Sequence, residues 1–245
     1  MVRPMAVESK VRLFVEHPLG AGQCVGLTEA QAHYLFAVMR LAKGDRLEVF
    51  NGQHGAWRAE VAEAGKRAGS LACLEQTAPL QVPPDVWLMF APLKKARTDF
   101  IVEKAAELGV RRILPVATEF TGAGRLNRAR LQAHAVEAAE QCGGTFVPEV
   151  ADLSPLRATL DGWDESRRVM WCDEARVGMA VALAGAPGPW AVLTGPEGGF
   201  SEAERAWLSG LPFVEPVSLG PRVLRADTAA VAALALWQLH CGDWR

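Results

Sequence analysis

The rhythm of apolar and polar positions changes near residue 80. Before it, residues 56–61 and 71–75 alternate as half-buried strands do. Residues 11–15 form another short strand and lead into a glycine-rich turn. Residues 47–50 run into Asn51-Gly52, a tight-turn signal. One helical stretch interrupts these strands. Ala32, Leu35, Phe36 and Met39 share a face, and Thr28 is placed to cap it. Many short strands with one helix predict a compact β-barrel over residues 1–78. Pro79, Pro83 and Pro84 mark a linker over 79–84.

From residue 85 the chain alternates between buried strands and helices. Residues 86–91, 113–116, 169–172, 190–193 and 213–219 read as strands. Residues 100–108 and 126–142 have helical period, and 227–239 form a closing helix. Ser201 and Glu204 make a capping box that opens another helix. This alternation predicts a parallel α/β sheet over 85–245.

Composition narrows the functional classes. Half of the 245 residues are hydrophobic and the net charge is −2. A chain wrapped in nucleic acid is usually basic, so only a local patch would bind RNA. The five cysteines are scattered and never form a Cys-x-x-Cys pair, so a disulfide framework or a metal site is not expected. Residues 1–15 mix charged with apolar positions and lack a signal-peptide core. No run of about 20 apolar residues is available to span a membrane. A reduced, cytoplasmic setting is therefore expected.

Two glycine-punctuated loops carry the candidate chemistry. Thr194-Gly195-Pro196-Glu197-Gly198-Gly199-Phe200 leaves a buried strand and enters a capped helix. Leu219-Gly220-Pro221-Arg222-Val223-Leu224-Arg225 repeats the arrangement, with Asp227 or Thr228 as the expected cap of the last helix. Ligands of open α/β sheets bind beyond the carboxyl ends of the strands, and both loops lie there. Glycines let backbone approach a ligand closely, and two arginines beside a helix start attract anions. By pattern alone, each loop is equally a structural turn that binds nothing. Neither matches a phosphate loop or a dinucleotide fingerprint.

These loops, together with Glu103-Lys-Ala-Ala-Glu-Leu-Gly-Val110, Glu137-Ala-Ala-Glu-Gln-Cys142, His33-Tyr-Leu35 and Val38-Met-Arg-Leu-Ala-Lys-Gly-Asp45, carry a resemblance. They resemble the bacterial 16S ribosomal RNA uracil-N3 methyltransferases of the SPOUT superfamily, across nearly the whole chain. The resemblance implies a PUA-like β-barrel followed by a SPOUT-type, trefoil-knotted parallel sheet with helices on both faces. It also implies a homodimer that uses S-adenosyl-L-methionine on 16S rRNA of the small subunit, with neither DNA nor membrane as partner. By position, Thr194, Gly195, Glu197, Gly199, Ser218, Leu219 and Gly220 would hold the cofactor, with Val223 and Leu224 as apolar walls. Ribose 2′-O-methylation and a non-catalytic role in ribosome assembly are the alternatives. Three departures stand out: Gly143-Gly144-Thr145 replaces the usual Gly-Arg-Asn, Phe120 replaces an arginine, and Leu224-Arg-Ala-Asp-Thr228 replaces Leu-Arg-Thr-Glu-Thr.

Methyl transfer to a uracil imide nitrogen must release a proton, and charge then builds on the ring oxygens. Arg225 is the candidate for stabilising that charge. Asp227 and Glu197 are the candidate proton acceptors, and water is the other. Cations concentrate between residues 94 and 130. Lys94, Arg97 and Arg125 there, with Arg40 in the first domain, are the candidate RNA contacts.

Overall fold

The computed structural model describes residues 8–122, 124–176 and 188–244. The expectation made for residues 1–15 falls partly outside the described residues, since 1–7 are not among them. The chain divides into two compact units. Residues up to Val82 form the first together with Ala139–Val147, and Pro83–Ala138 with Pro148–Arg245 form the second.

The first unit is built on strands β1 (Glu8–Phe14), β2 (Cys24–Gly26), β3 (Arg46–Phe50), β4 (Ala56–Ala64) and β5 (Gly69–Ala78). Their order is β1-β3-β4-β5-β2, parallel between β1 and β3 and antiparallel elsewhere. Alternate residues Leu47, Val49, Ala59, Val61, Leu71 and Cys73 point into one core. Asn51 opens a connection wider than a two-residue hairpin. Its side-chain oxygen accepts from the N–H groups of Gln53 (3.0 Å) and His54 (2.9 Å).

Helix α1 (Glu29–Ala32) is capped by Thr28 in a capping box with Gln31. It continues as a π-helical stretch, His33–Val38. Ala32 and Leu35 are buried and Phe36 packs against the core, but Met39 is exposed. The expected apolar stripe therefore loses its last member. The Met39 N–H reaches back five residues to the Tyr34 carbonyl, and this wider turn rotates Met39 off the face.

The second unit carries β6 (Val86–Phe90), α2 (Lys95–Glu107), β7 (Arg112–Ala117), α3 (Arg128–Cys142), β8 (Glu149–Val150), β9 (Ser154–Pro155) and α4 (Leu156–Leu160). It continues through β10 (Arg168–Cys172), β11 (Trp190–Thr194), α5 (Glu202–Ser209), β12 (Val214–Val217) and α6 (Ala226–His240). The last turn of α3 belongs to the first unit. The strands run parallel in the order β12-β10-β11-β6-β7-β8, with β9 also paired to β7.

Every residue of β11 is buried, as a central parallel strand requires. One face (Met89, Val169, Trp171, Ala191, Leu193) packs on Leu156 and Leu160 of α4 and Leu208 of α5. The other face is covered by α2 and α6, which pack together; Ile101, Val102, Ala230, Leu234 and Trp237 are buried there. Among the described residues no helix is long and apolar enough to cross a membrane.

Candidate functional site

Strand register fixes where the loops emerge. Val217, Cys172, Thr194, Phe90 and Pro115 are successive partners across β12, β10, β11, β6 and β7. The connections leaving these strands therefore share one end of the sheet, the carboxyl end where open α/β sheets take ligands. The glycine loops after β11 and β12 face one another there.

Between them lies a cavity of about 230 Å³. Thr194, Gly195, Pro196, Glu197 and Gly199 line it from the first loop, and Val223, Leu224 and Arg225 from the second. Ala226 and Ala229 of α6, Cys172 at the end of β10 and Glu174 just beyond it complete the wall. A smaller cavity of about 40 Å³ adjoins it and is lined by Leu219, Gly220 and Arg222 among others. Ser218 is buried beside this wall, and its hydroxyl accepts the Gly220 N–H at 3.3 Å.

The first loop is held from two sides. The Phe200 ring packs so close to Gly195 that a Cβ there would lie 2.8 Å from it. Gly199 has φ +69°, and a Cβ there would collide with the Glu174 carboxylate. That carboxylate accepts the Phe200 N–H at 3.2 Å and pairs with Arg205. Arg205 also pairs with Asp173 and donates to the Phe200 carbonyl at 3.1 Å. One guanidinium of α5 thus fastens the end of β10 to the loop after β11.

Arg97 of α2 ties the first loop to the start of α6. It lies 3.6 Å from Glu197 in that loop and 3.7 Å from Asp227 in the first turn of α6. Asp227 is therefore not the helix cap. Arg225 occupies the N-cap and makes no side-chain cap bond, while the Asp227 Oδ1 accepts the Thr228 N–H at 2.8 Å. The first-turn amides of α6 open toward a cavity whose wall includes Ala226.

Lys94 is the exposed N-cap residue of α2, and Arg125 is exposed in the connection after β7. Arg40 belongs to the first unit, exposed, with the uncommon φ of +59°. Cys172, Glu174, Arg205 and the Arg97 bridge were not legible in the sequence. Cys172 and Glu174 had one signal, their position: Cys172 ends a strand and Asp173-Glu174 leaves it, as the glycine loops leave theirs. Burial pushes the Cys172 thiol up to about 12, so it lines the cavity as a neutral, unreactive group.

The arrangement suits a ligand with a flat apolar part: glycine backbone and the Val223 and Leu224 side chains supply the contact area. Residues 80–238 match the family described as RNA methyltransferase domain, and residues 27–71 match the RNA methyltransferase PUA domain. The chain belongs to the RNA methyltransferase family.

A member of this family from Synechocystis sp., a ribosomal RNA small subunit methyltransferase E, is 34% identical over 223 residues, covering 86% of this chain and 71% of that protein. The crystal structure of a ribosomal RNA small subunit methyltransferase E from Neisseria gonorrhoeae bound to S-adenosyl methionine has a TM-score of 0.87 and 28% identity, covering 97% of this chain and 100% of that one. A methyltransferase of Legionella pneumophila with the same bound cofactor has a TM-score of 0.86 and 28% identity, covering 96% and 99%. The family's SPOUT-type parallel sheet, preceded by a PUA-like domain, is the fold found here.

Proposed function

We propose that this chain transfers a methyl group from S-adenosylmethionine to N3 of a uridine in 16S rRNA of the small ribosomal subunit. The observation that carries this is the cavity between the two glycine loops, on a fold that a cofactor-bound family member shares over 97% of the chain. When bound, the cofactor supplies an electrophilic methyl group on a sulfonium. Backbone around Thr194, Gly195, Leu219 and Gly220 holds the adenosine part, and Val223 and Leu224 exclude water from it. Glu197 and Gly199 close the first loop over the remainder.

Arg225 and the amino end of α6 bring positive charge to the cavity wall. They stabilise the negative charge that develops on the uracil oxygens as the N3 proton leaves. Both nearby carboxylates, Glu197 and Asp227, are engaged by Arg97, so the proton passes to water. Lys94, Arg125 and Arg40 contact RNA phosphates, together with the exposed part of Arg97. The enzyme acts in the cytoplasm as a homodimer.

The test is calorimetry with S-adenosylmethionine, then methyl incorporation into small-subunit rRNA and mass spectrometry of the digested nucleosides. Cofactor binding and 3-methyluridine are the expected results. Absence of cofactor binding overturns the enzyme reading, and a methylated ribose overturns the N3 assignment. Sedimentation of the protein checks the dimer.

A further inference from the structure

Phe120 is a large aromatic residue held out in solvent at the edge of the site; it is 49% exposed. Its turn is not loose. The Thr118 N–H donates to the Thr121 hydroxyl at 2.8 Å, and the Thr121 N–H returns to the Thr118 carbonyl at 3.1 Å. The Glu119 N–H donates to the Glu204 carboxylate at 2.9 Å. Glu204 is also the capping-box acid of α5, which begins directly after the first glycine loop. The Phe120 side chain lies against Gly198, close enough that a Cβ there would sit 3.2 Å from its own Cβ. Gly198 stands between Glu197 and Gly199, both of which line the cavity. The Phe120 side chain thus packs on the same loop whose Glu197 and Gly199 line the cofactor cavity.

A half-exposed phenylalanine on a pinned turn has no folding role that requires its exposure. The connection that carries it also carries the exposed cation Arg125. An aromatic face beside a cation is the combination by which proteins hold unpaired nucleotides, the ring stacking on a base and the charge tracking the backbone. A base inside a ribosomal helix must leave its stack to reach a methyl donor. The geometry points to Phe120 as the stacking face for an unstacked base of the RNA substrate beside the cofactor cavity. This rests on the reading of the chain as an RNA methyltransferase.

The experiment compares Phe120→Ala, Phe120→Leu and Phe120→Trp with the unmutated protein. Each is titrated into fluorescently labelled small-subunit rRNA transcript and, separately, with S-adenosylmethionine. Loss of one stacked base weakens RNA binding about tenfold in the alanine and leucine variants, while tryptophan stays within about twofold. Cofactor affinity is unchanged in all three. The slope of log Kd against log salt is also unchanged, because no ionic contact is removed. Wild-type RNA affinity in Phe120→Leu overturns the inference, since leucine fills the space without stacking. A parallel loss of cofactor affinity overturns it in favour of a role in shaping the loop. Dissociation of a dimer in sedimentation, with RNA affinity intact, overturns it in favour of a subunit contact. Failure of the unmutated protein to bind the cofactor would strike the parent reading instead, so the two failures are distinguishable.

Discussion

Gly199 combines a left-handed backbone with a side-chain direction already taken by the Glu174 carboxylate. An alanine there costs about 1–3 kcal/mol in backbone strain before the displaced carboxylate is counted. Gly199→Ala is therefore expected to weaken cofactor binding at least tenfold by calorimetry and to lower the melting temperature. Arg225 makes a different kind of contribution. It touches no other side chain through a cap bond and stands at the cavity wall. Removing a preorganised charge partner of a transition state lowers kcat by about 10²–10³-fold. Arg225→Ala should show that loss in steady-state kinetics, with a smaller change in KM for the cofactor; undiminished turnover would exclude the clamp role. The sequence carried the glycines and Arg225 because their types are unusual at a strand end. It did not carry the Arg97 bridge, since partners 100 and 130 positions away leave no local pattern.

Among the elements, the end of α3 is the most telling. Arg12 of β1 donates to the carbonyls of Ala139 (3.0 Å), Glu140 (3.3 Å) and Gly144 (3.1 Å). It also pairs with Glu48 at 2.5 Å and lies 4.8 Å above the Phe50 ring. A cation on the carbonyl end of a helix satisfies groups that have no partner within the helix, and it opposes the helix dipole. The Phe14 N–H donates to the Glu140 carboxylate at 2.7 Å in the same place. Arg12→Ala removes the carbonyl bonds, the Glu48 pair and the ring contact from a mostly buried position, and leaves the Phe14–Glu140 bond. A loss of about 3 kcal/mol is expected in urea unfolding, with Arg12→Lys intermediate. The long strands and helices were legible because burial on a sheet or helix face imposes a period. β8 and β9 are two residues each and α4 is five, too short for any period to show. The start of α2 was missed because Lys95, Ala96 and Arg97 carry no apolar stripe.

For the whole molecule, two buried thiols contribute to the response to alkali. Burial disfavours the thiolate and pushes Cys172 from its ordinary value of 9.0 up to about 12 in the folded chain. Burial also raises Cys73. Below pH 9 both folded and unfolded chains keep the Cys172 proton, and its ionisation does not affect stability. As pH rises from 9 toward 12 the unfolded chain loses this proton first, so stability falls over that window. Cys172→Ala should flatten that fall relative to the unmutated protein in thermal melts taken across the same range, and leave neutral pH behaviour alone. The sheet and its carboxyl-end site were legible from strand–helix alternation. The knotted threading implied by the family resemblance is a property of the chain's path, and hydrophobic spacing carries no trace of it.

The first unit is also not continuous along the chain: it needs Ala139–Val147, and residues 83–138 lie between. On a translating ribosome, those intervening residues take roughly 3 to 11 seconds to synthesise. During that interval Arg12 and Phe50 have emerged, but the helix end that covers them has not. The amino-terminal unit therefore cannot finish folding in the order in which it is made. A nascent chain arrested at residue 82 should remain open to protease, and one arrested well past residue 147 should not.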